Sequence, residues 1–295
     1  MKVGVIGIGD MGSGLAKNLI AAGFDTCGFD PDPARMAAFV DLGGQACSSP
    51  KEVGEHADAV YVMVMNGGQV DQVVFGDEGL AKSLSAGAAI ILTATIKPRE
   101  CIDLAGKLEG TGIRLIDTPV SGGFPGAQNG TLTMMAAAPD DVLDTFAPVM
   151  QAVSATIHRV GTNAGQGQQV KSCLQTLIGS IFSATFEASV LAAKAGITGE
   201  VLYNVFSTSG AGSGSMSTAL ENIIDRKFEG TGSHINTMHK DLTIALDMAE
   251  ELGVPMHTAS SAMQLFHAGK TKYPHGDNWI VTKVIEDIVG AELHR

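Results

Sequence analysis

The sequence lacks the features that mark several whole classes of protein. Its 19 Lys and Arg against 31 Asp and Glu give a net charge of −12, whereas a nucleic-acid-binding protein needs a basic face to neutralise phosphates. No apolar run approaches the ~20 residues of a membrane helix, and the first residues have the pattern of a strand rather than of a targeting segment. We therefore expect a cytoplasmic protein with neither a nucleic acid nor a membrane as partner.

Signatures of disulfides and metals are missing as well. The four cysteines stand far apart and form no CxxC pair, and the eight histidines show no HExxH spacing. In a chain of 295 residues without a secretory signal, widely spaced cysteines are typically reduced and buried. We expect this of Cys27, Cys47, Cys101 and Cys173, and we expect ordinary surface or capping histidines and no metal site.

The most informative feature that is present is a glycine-rich segment near the N-terminus. Gly7, Gly9 and Gly12 directly follow the apolar run of residues 3–6 and precede a helical pattern. Gly7 permits a tight turn, Gly9 lets the backbone approach phosphates, and Gly12 lets helix and strand pack closely. The free amides of the following helix attract a pyrophosphate. The segment therefore predicts a dinucleotide site that includes Ile8, Asp10 and Met11, although a merely structural βαβ turn remains the alternative.

A second expected strand ends in Asp30, roughly 20 residues beyond the glycines, where an acid can bind the ribose 2′-hydroxyl. A carboxylate repels a 2′-phosphate, so Asp30 favours NAD over NADP. The run of residues 30–33 is also a plausible turn, and Arg35 lies nearby.

The order of apolar runs predicts two domains. Short apolar runs alternate with helical patterns up to Gly161, which is typical of an α/β Rossmann-type, doubly wound parallel sheet. A helical period is then held over residues 165–195, about 30 residues or roughly 45 Å, and further helical patterns follow. We expect a dinucleotide-binding domain at 1–162 and an all-α substrate and oligomerisation domain at 163–295, joined by the long helix. The expected strands are 2–6, 26–29, 59–64, 88–92, 113–117, 131–136 and 156–160, and the later helices are 199–207, 215–225, 235–252, 256–268 and 279–293.

Three later segments carry candidate chemistry. Ser121, with the bare amides of Gly122 and Gly123, follows an expected strand and could hold a carboxylate. Lys171 lies in the first turns of the long helix, and Lys240 begins another helix. Taken alone, a Ser-Gly-Gly turn is usually structural and a single lysine is usually solvated.

Taken together, in this order and spacing, the motifs resemble the β-hydroxyacid dehydrogenase family, which includes 3-hydroxyisobutyrate dehydrogenase and tartronate semialdehyde reductase. The resemblance rests on residues 7–14, 117–123, 165–171 and 240–242 and covers nearly the whole chain. Residues 63–70 and 275–278 look more like the L-threonate dehydrogenase branch.

The resemblance implies an enzyme that transfers a hydride between NAD and a small 3-hydroxy acid, with a four-carbon sugar acid favoured. Lys171 would be the acid/base group, because burial and a neighbouring cation, supplied by Lys240, lower a lysine's pKa. Lys240 could also touch the cofactor. The family has an amide side chain where this sequence has Leu174. Gln175 lies one residue further, on the same helical face as Lys171, and is expected to take over the catalytic contact with the hydroxyl. Further cofactor contacts are implied for Met65, Asn66 and Thr95.

Alternatives stay open at this point. The enzyme could work as a reductase of a semialdehyde such as tartronate or methylmalonate semialdehyde. An imine reductase or a 6-phosphogluconate type fits less well, since the former replaces the lysine and the latter needs an arginine-lined phosphate site. A non-catalytic dinucleotide-binding module is the alternative from a different class. Apolar faces on the helices suggest a homodimer or homotetramer.

Overall fold

The computed structural model describes residues 1–295 and divides into two compact units, Met1–Lys171 and Ser172–Arg295. The N-terminal unit is an α/β unit built on a nine-stranded sheet, and the C-terminal unit is helical. One continuous helix, α8 (Gln166–Lys194), begins in the first unit and continues into the second. The Rossmann-type fold class and the all-α second part are therefore confirmed.

The N-terminal sheet has the strand order of dinucleotide-binding folds. Its path is β3-β2-β1-β4-β5-β6-β8-β7, with β9 paired to β8, and its first six members follow the order 3-2-1-4-5-6. The strands are β1 Lys2–Ile6, β2 Asp25–Phe29, β3 Gln45–Ala46, β4 Ala59–Val62, β5 Ala89–Leu92, β6 Arg114–Asp117, β7 Val120–Ser121, β8 Leu132–Ala137 and β9 Ser154–Gly161. The helices are α1 Asp10–Ala21, α2 Pro33–Asp41, α3 Pro50–His56, α4 Gly67–Phe75, α5 Pro98–Leu108, α6 Gly123–Gln128 and α7 Asp140–Gln151, with a 3₁₀ turn at Leu80–Lys82.

The sheet differs from the expected parallel arrangement at one side. Strand β8 runs antiparallel to both β6 and β7, while β9 again runs parallel to β8. Strand β7 continues β6 along β8 in the same register, with Asp117 opposite Ala137 and Val120 opposite Met134. The chain then returns to β8 through residues 122–131, whereas a parallel return would need a crossover of about a dozen residues or more. The two-residue strands β3 and β7 were also not expected, because they are too short to produce a periodic pattern.

Both faces of the sheet are covered, as the continuous apolar runs require. Alternate residues of each central strand enter different cores. In β4, Ala59 and Tyr61 belong to one core, whereas Val60 and Val62 belong to the other. The Tyr61 hydroxyl is fully buried and donates to the carbonyl of Val149 at 3.0 Å, so its polar tip is satisfied.

The C-terminal unit consists of α8 and five further helices around an aromatic core. They are α9 Gly199–Thr208, α10 Gly214–Ile224, α11 Ile235–Glu251, α12 His257–Lys272 and α13 Thr282–Val289, with a 3₁₀ turn at Asn278–Val281 before α13. The last helix is shorter than the expected 279–293 because Gly290 adopts φ +64, the left-handed conformation that ends a helix.

Helix α8 is long and apolar enough to cross a membrane, judged by length and composition alone. Core helices pass the same test. Phe182 and Phe186 of α8 lie in the core of the C-terminal unit, where Phe182 contacts Trp279 edge-on with ring centroids 5.1 Å apart. Leu177 and Leu191, on another side of the same helix, are exposed.

The cysteines only partly match expectation. Cys27, Cys47 and Cys101 are buried and reduced, but Cys173 is exposed. Burial raises the pKa of the Cys27 thiol to about 12, and burial also raises that of Cys47. Cys173 differs because it lies on the open side of α8, in a region where periodicity alone does not show which face is covered.

Replacing Phe186 by Ala should destabilise the C-terminal unit by about 3–5 kcal/mol, because this fully buried ring contacts Phe182 and Phe266. Ile288→Ala in the same unit should change the unfolding free energy by less than about 0.5 kcal/mol, because Ile288 is 79% exposed. Urea titration followed by tryptophan fluorescence measures this directly, since the chain has one tryptophan, Trp279, in that core. Equal losses in the two variants would contradict this description of the core.

Candidate active site

The turn between β1 and α1 leaves no space for a side chain at Gly7 or Gly12. Gly7 adopts φ +86, and a Cβ there would lie 2.2 Å from the carbonyl oxygen of Met63. A Cβ on Gly12 would lie 1.8 Å from the carbonyl oxygen of Gly7, so helix and strand approach as closely as backbone allows. No side chain caps the N-terminus of α1. The amides at a helix N-terminus attract an anion, and this cradle fits a pyrophosphate.

Asp30 lies at the end of β2, next to this turn. Its side chain is buried and accepts hydrogen bonds from the amides of Ile8 at 2.7 Å and Asp32 at 2.9 Å. Arg35 is 3.5 Å from the same carboxylate and is half exposed. A carboxylate offers about four lone-pair sites, so Asp30 can still accept hydrogen bonds from a ligand hydroxyl.

The segments after β4 and β5 bring the other expected cofactor residues to the same edge of the sheet. Met65 is exposed, and Asn66 begins α4 by accepting from the amide of Gln69 at 2.9 Å. Thr95 is half-buried in the segment that follows β5. The carboxyl edge of a parallel sheet is where doubly wound folds bind ligands.

Lys171 lies directly beside the expected carboxylate-binding segment. Its side chain is 6% exposed, and its Nζ donates to the carbonyl of Val120 at 2.8 Å. The next residue is Ser121, followed by Gly122 at φ +127 and Gly123 at φ +58. These positive φ values are strained for other residues, which explains the two glycines. The structure thus brings Lys171 and the Ser121–Gly123 segment together.

Two buried polar residues of the same motifs, to which the sequence assigned no role, lie next to them. Asp117, fully buried at the end of β6, accepts from the backbone amides of Gly165 at 2.8 Å and Gly167 at 2.9 Å. Its other carboxylate oxygen accepts from the side-chain amide of Gln168 at 3.0 Å. Burial raises the pKa of Asp117 to about 6, and these hydrogen bonds oppose the rise. As the pH rises from about 4 to about 6, the unfolded chain releases the Asp117 proton while the folded state still holds it, so the free energy of unfolding decreases over this range.

The C-terminal unit holds the remaining expected residues in a second polar group. The Gln175 amide nitrogen donates to one oxygen of Asp241 at 2.6 Å, and Lys240 Nζ lies 2.8 Å from the other oxygen. Asp241 and Gln175 are buried. Asp241 belongs to the Lys240-Asp241-Leu242 motif, but the sequence does not show that it would bind Gln175.

One histidine pair was not expected from the spacing. His239 Nε2 and His267 Nδ1 are 2.8 Å apart, and Lys270 Nζ is 3.5 Å from His239 Nδ1. Burial, with the nearby Lys270 and His267, lowers the pKa of His239 to about 4, so His239 is neutral at physiological pH.

Comparison with known protein families gives two matches that together cover most of the chain. Residues 2–161 match the NAD binding domain of 6-phosphogluconate dehydrogenase, and residues 165–285 match the NAD-binding domain of NADP-dependent 3-hydroxyisobutyrate dehydrogenase. The matched ranges contain all of the site residues described above.

Individual relatives are similar over almost their full length. An L-threonate dehydrogenase of Escherichia coli O6:H1 is 34% identical, over 97% of this chain and 95% of its own. A 2-(hydroxymethyl)glutarate dehydrogenase of Eubacterium barkeri is 32% identical, over 99% and 97%. The crystal structure of a 3-hydroxyisobutyrate dehydrogenase from Salmonella typhimurium superimposes with a TM-score of 0.88 at 31% identity, over 96% of this chain and 99% of its own.

Proposed function

This chain belongs to the 3-hydroxyisobutyrate dehydrogenase family of NAD(P)-dependent oxidoreductases, and from this premise we propose that it oxidises a small 3-hydroxy acid with NAD. A four-carbon sugar acid is the favoured substrate, in line with the name of the E. coli relative. The observation that carries the proposal is the contact of the buried Lys171 amine with Val120, directly beside Ser121.

Residues 1–162 form the dinucleotide-binding domain in this proposal, and residues 163–295 form the substrate and oligomerisation domain. Helices α8 and α9 each expose two large apolar side chains, which supports a homodimer or homotetramer because a subunit interface would cover them. The four residues are Leu177, Leu191, Val201 and Val205. The proposed location is the cytoplasm.

The cofactor is held by residues at the carboxyl edge of the sheet. Amides at the start of α1 bind the pyrophosphate, and Asp30, which holds the Ile8 amide, also accepts hydrogen bonds from the adenosine ribose. Met65, Asn66, Thr95 and Lys240 complete the cofactor site. Bound NAD supplies the hydride acceptor. NAD is preferred over NADP because Asp30 is already placed for hydroxyls and repels a phosphate, although Arg35 offsets part of that repulsion.

Lys171 removes the proton that the substrate hydroxyl must lose. The Val120 carbonyl holds the amine by one N–H, and in its neutral form the amine accepts a proton on its lone pair. As the hydride leaves the carbinol carbon, the hydroxyl proton passes to Nζ and the carbon becomes a carbonyl. In the reverse direction the same ammonium returns the proton, so a semialdehyde reductase would use an identical site.

Substrate recognition uses two kinds of group. Ser121 and the amides of Gly122 and Gly123 donate to the carboxylate, at about 1.5–3 kcal/mol for each bond to a charged group. Gln175 contacts a hydroxyl. Its amide nitrogen is committed to Asp241, so the amide oxygen is the atom that it presents, and this oxygen accepts from a hydroxyl proton. Lys240, paired with Asp241, adds positive charge for an anionic ligand.

Lys171→Ala should lower kcat by ~10² or more and leave NAD binding intact, because the base is lost and the cradle is unchanged. Lys194→Ala on the same helix is the matched control, since Lys194 donates only to the Val289 carbonyl at the surface. Steady-state absorbance of reduced nicotinamide and NAD titration measure both effects. Near-normal turnover in the Lys171 variant would remove the assignment.

Ser121→Ala should raise KM for the acid about tenfold or more and leave the Kd for NAD unchanged, because one donor to the carboxylate is lost. The exposed Ser85→Ala serves as control. The wild-type enzyme should also reject alcohols that lack the carboxylate. A panel of C3 to C6 hydroxy acids with matched alcohols tests this, and equal kcat/KM for an acid and its alcohol would contradict the carboxylate site.

Wild-type kcat/KM should be higher with NAD than with NADP, and Asp30→Ala should reduce that ratio, since the repulsion of a 2′-phosphate disappears and Arg35 remains. Asp25→Ala, an exposed change on the same strand, should leave the ratio unaltered. A wild-type preference for NADP would show the cofactor assignment to be wrong.

A further inference from the structure

Asp117 joins two parts of the chain that sequence separates by about 50 residues. One carboxylate oxygen accepts from the amides of Gly165 at 2.8 Å, Gly167 at 2.9 Å and Gln168 at 3.4 Å. These are the donors at the start of α8, which a helix end leaves unsatisfied. Strand β6 therefore holds the N-terminus of the helix that carries Lys171.

Gln168 extends this connection to the segment around Thr95. Its side-chain oxygen accepts from the amide of Ile96 at 3.1 Å, and its side-chain nitrogen donates to the carbonyl of Ala94 at 3.1 Å. Gln168 thus binds the backbone on both sides of Thr95 while its nitrogen also donates to Asp117 at 3.0 Å. It is fully buried, so no water competes for these bonds.

The backbone next to Asp117 and Gln168 is closely packed. Gly165 adopts φ +92, and a Cβ on Gly167 would lie 2.6 Å from the Met135 carbonyl oxygen and 2.7 Å from that of Asp117. Lys171 follows Gln168 by one helical turn and is held at its other end by Val120, three residues after Asp117. The position of the Lys171 amine is therefore fixed through both ends of the Asp117–Val120 segment.

Capping the N-terminus of a helix does not by itself require a buried charge, because Ser, Thr or Asn side chains also accept hydrogen bonds from the first amides. A fully buried carboxylate is costly even when hydrogen-bonded, and its raised pKa shows that the bonds to α8 do not fully offset this cost. A group retained against stability is typical of a functional site.

We propose that Asp117 and Gln168 are positioning residues, which hold the Lys171 helix in register with the Thr95 segment and the Ser121 segment. The proposal rests on the proposed function for the role of those three residues. Without the pair, α8 can shift relative to Thr95, and a misplacement of ~1 Å can cost ~10²-fold in rate.

Two variants test it. Gln168→Met keeps the side-chain volume close to native and removes the hydrogen bonds of the side chain. Asp117→Asn keeps the side-chain shape and places a donor opposite the Gln168 amide nitrogen. Both should lower kcat about tenfold or more with the Kd for NAD within about twofold of the wild-type value. The primary deuterium isotope effect on hydride transfer should rise, because chemistry becomes slower than product release. Glu286→Gln, which removes the charge of a buried carboxylate paired with Arg226, should leave kcat and the isotope effect unchanged.

Amide hydrogen exchange gives a readout that does not depend on turnover. Both variants should speed exchange at residues 94–97 and 165–168 together, because each disrupts the bond between Asp117 and Gln168 through which the two segments are joined, and Glu286→Gln should not. Native exchange at either segment in both variants would overturn the connection, and faster exchange with wild-type kcat would overturn the positioning role. If Asp117→Asn fails to bind NAD, Gln168→Met decides alone. A wild-type protein inactive on the whole hydroxy-acid panel would instead show that the proposed function fails, while the exchange data still decide whether the pair joins the two segments.

Discussion

Parallel strands end at a common edge of the sheet, and the backbone groups exposed there have to be satisfied by whatever segment comes next. This constraint shapes the N-terminal unit. Asp30 accepts from Ile8, Asn66 accepts from Gln69, and Asp117 accepts from the first amides of α8. The first helix is the exception, since no side chain caps it. The side chains that accept hydrogen bonds from backbone amides at this edge are thus neighbours of the residues proposed to bind cofactor and substrate.

The parts of the site that could be predicted from the sequence are those with a local physical cause. Gly7 needs a positive φ and Gly12 lies against the carbonyl of Gly7 within the same turn, and the structure shows both features. Lys171 and Ser121 came from separate motifs, and the structure joins them through Val120. The family resemblance is confirmed by matches over most of the chain. The roles of these residues and the preference for NAD remain predictions.

What could not be predicted depends on pairing between distant residues. Asp117 and Gln168 are 51 residues apart, and Gln175 and Asp241 are 66 apart. A polar residue in a motif carries no sign of its partner, so neither bond can be derived from spacing. The antiparallel course of β8 is a similar case, because alternating apolar residues indicate a strand and leave its direction open. Helix α13 ends early because Gly290 adopts the left-handed conformation, which the pattern of apolar residues does not indicate.

Only one of the four cysteine thiols, that of Cys173, is accessible to a labelling reagent. Cys27, Cys47 and Cys101 are buried, and burial raises the pKa of each, so they resist alkylation. Cys173 is exposed, two residues after Lys171 and two before Gln175 on the same helix. A maleimide dye or spin label will therefore attach at one position of the unaltered chain, within a helical turn of the residues proposed to handle substrate. Spectroscopy of the native sequence could follow ligand binding there without any engineered cysteine.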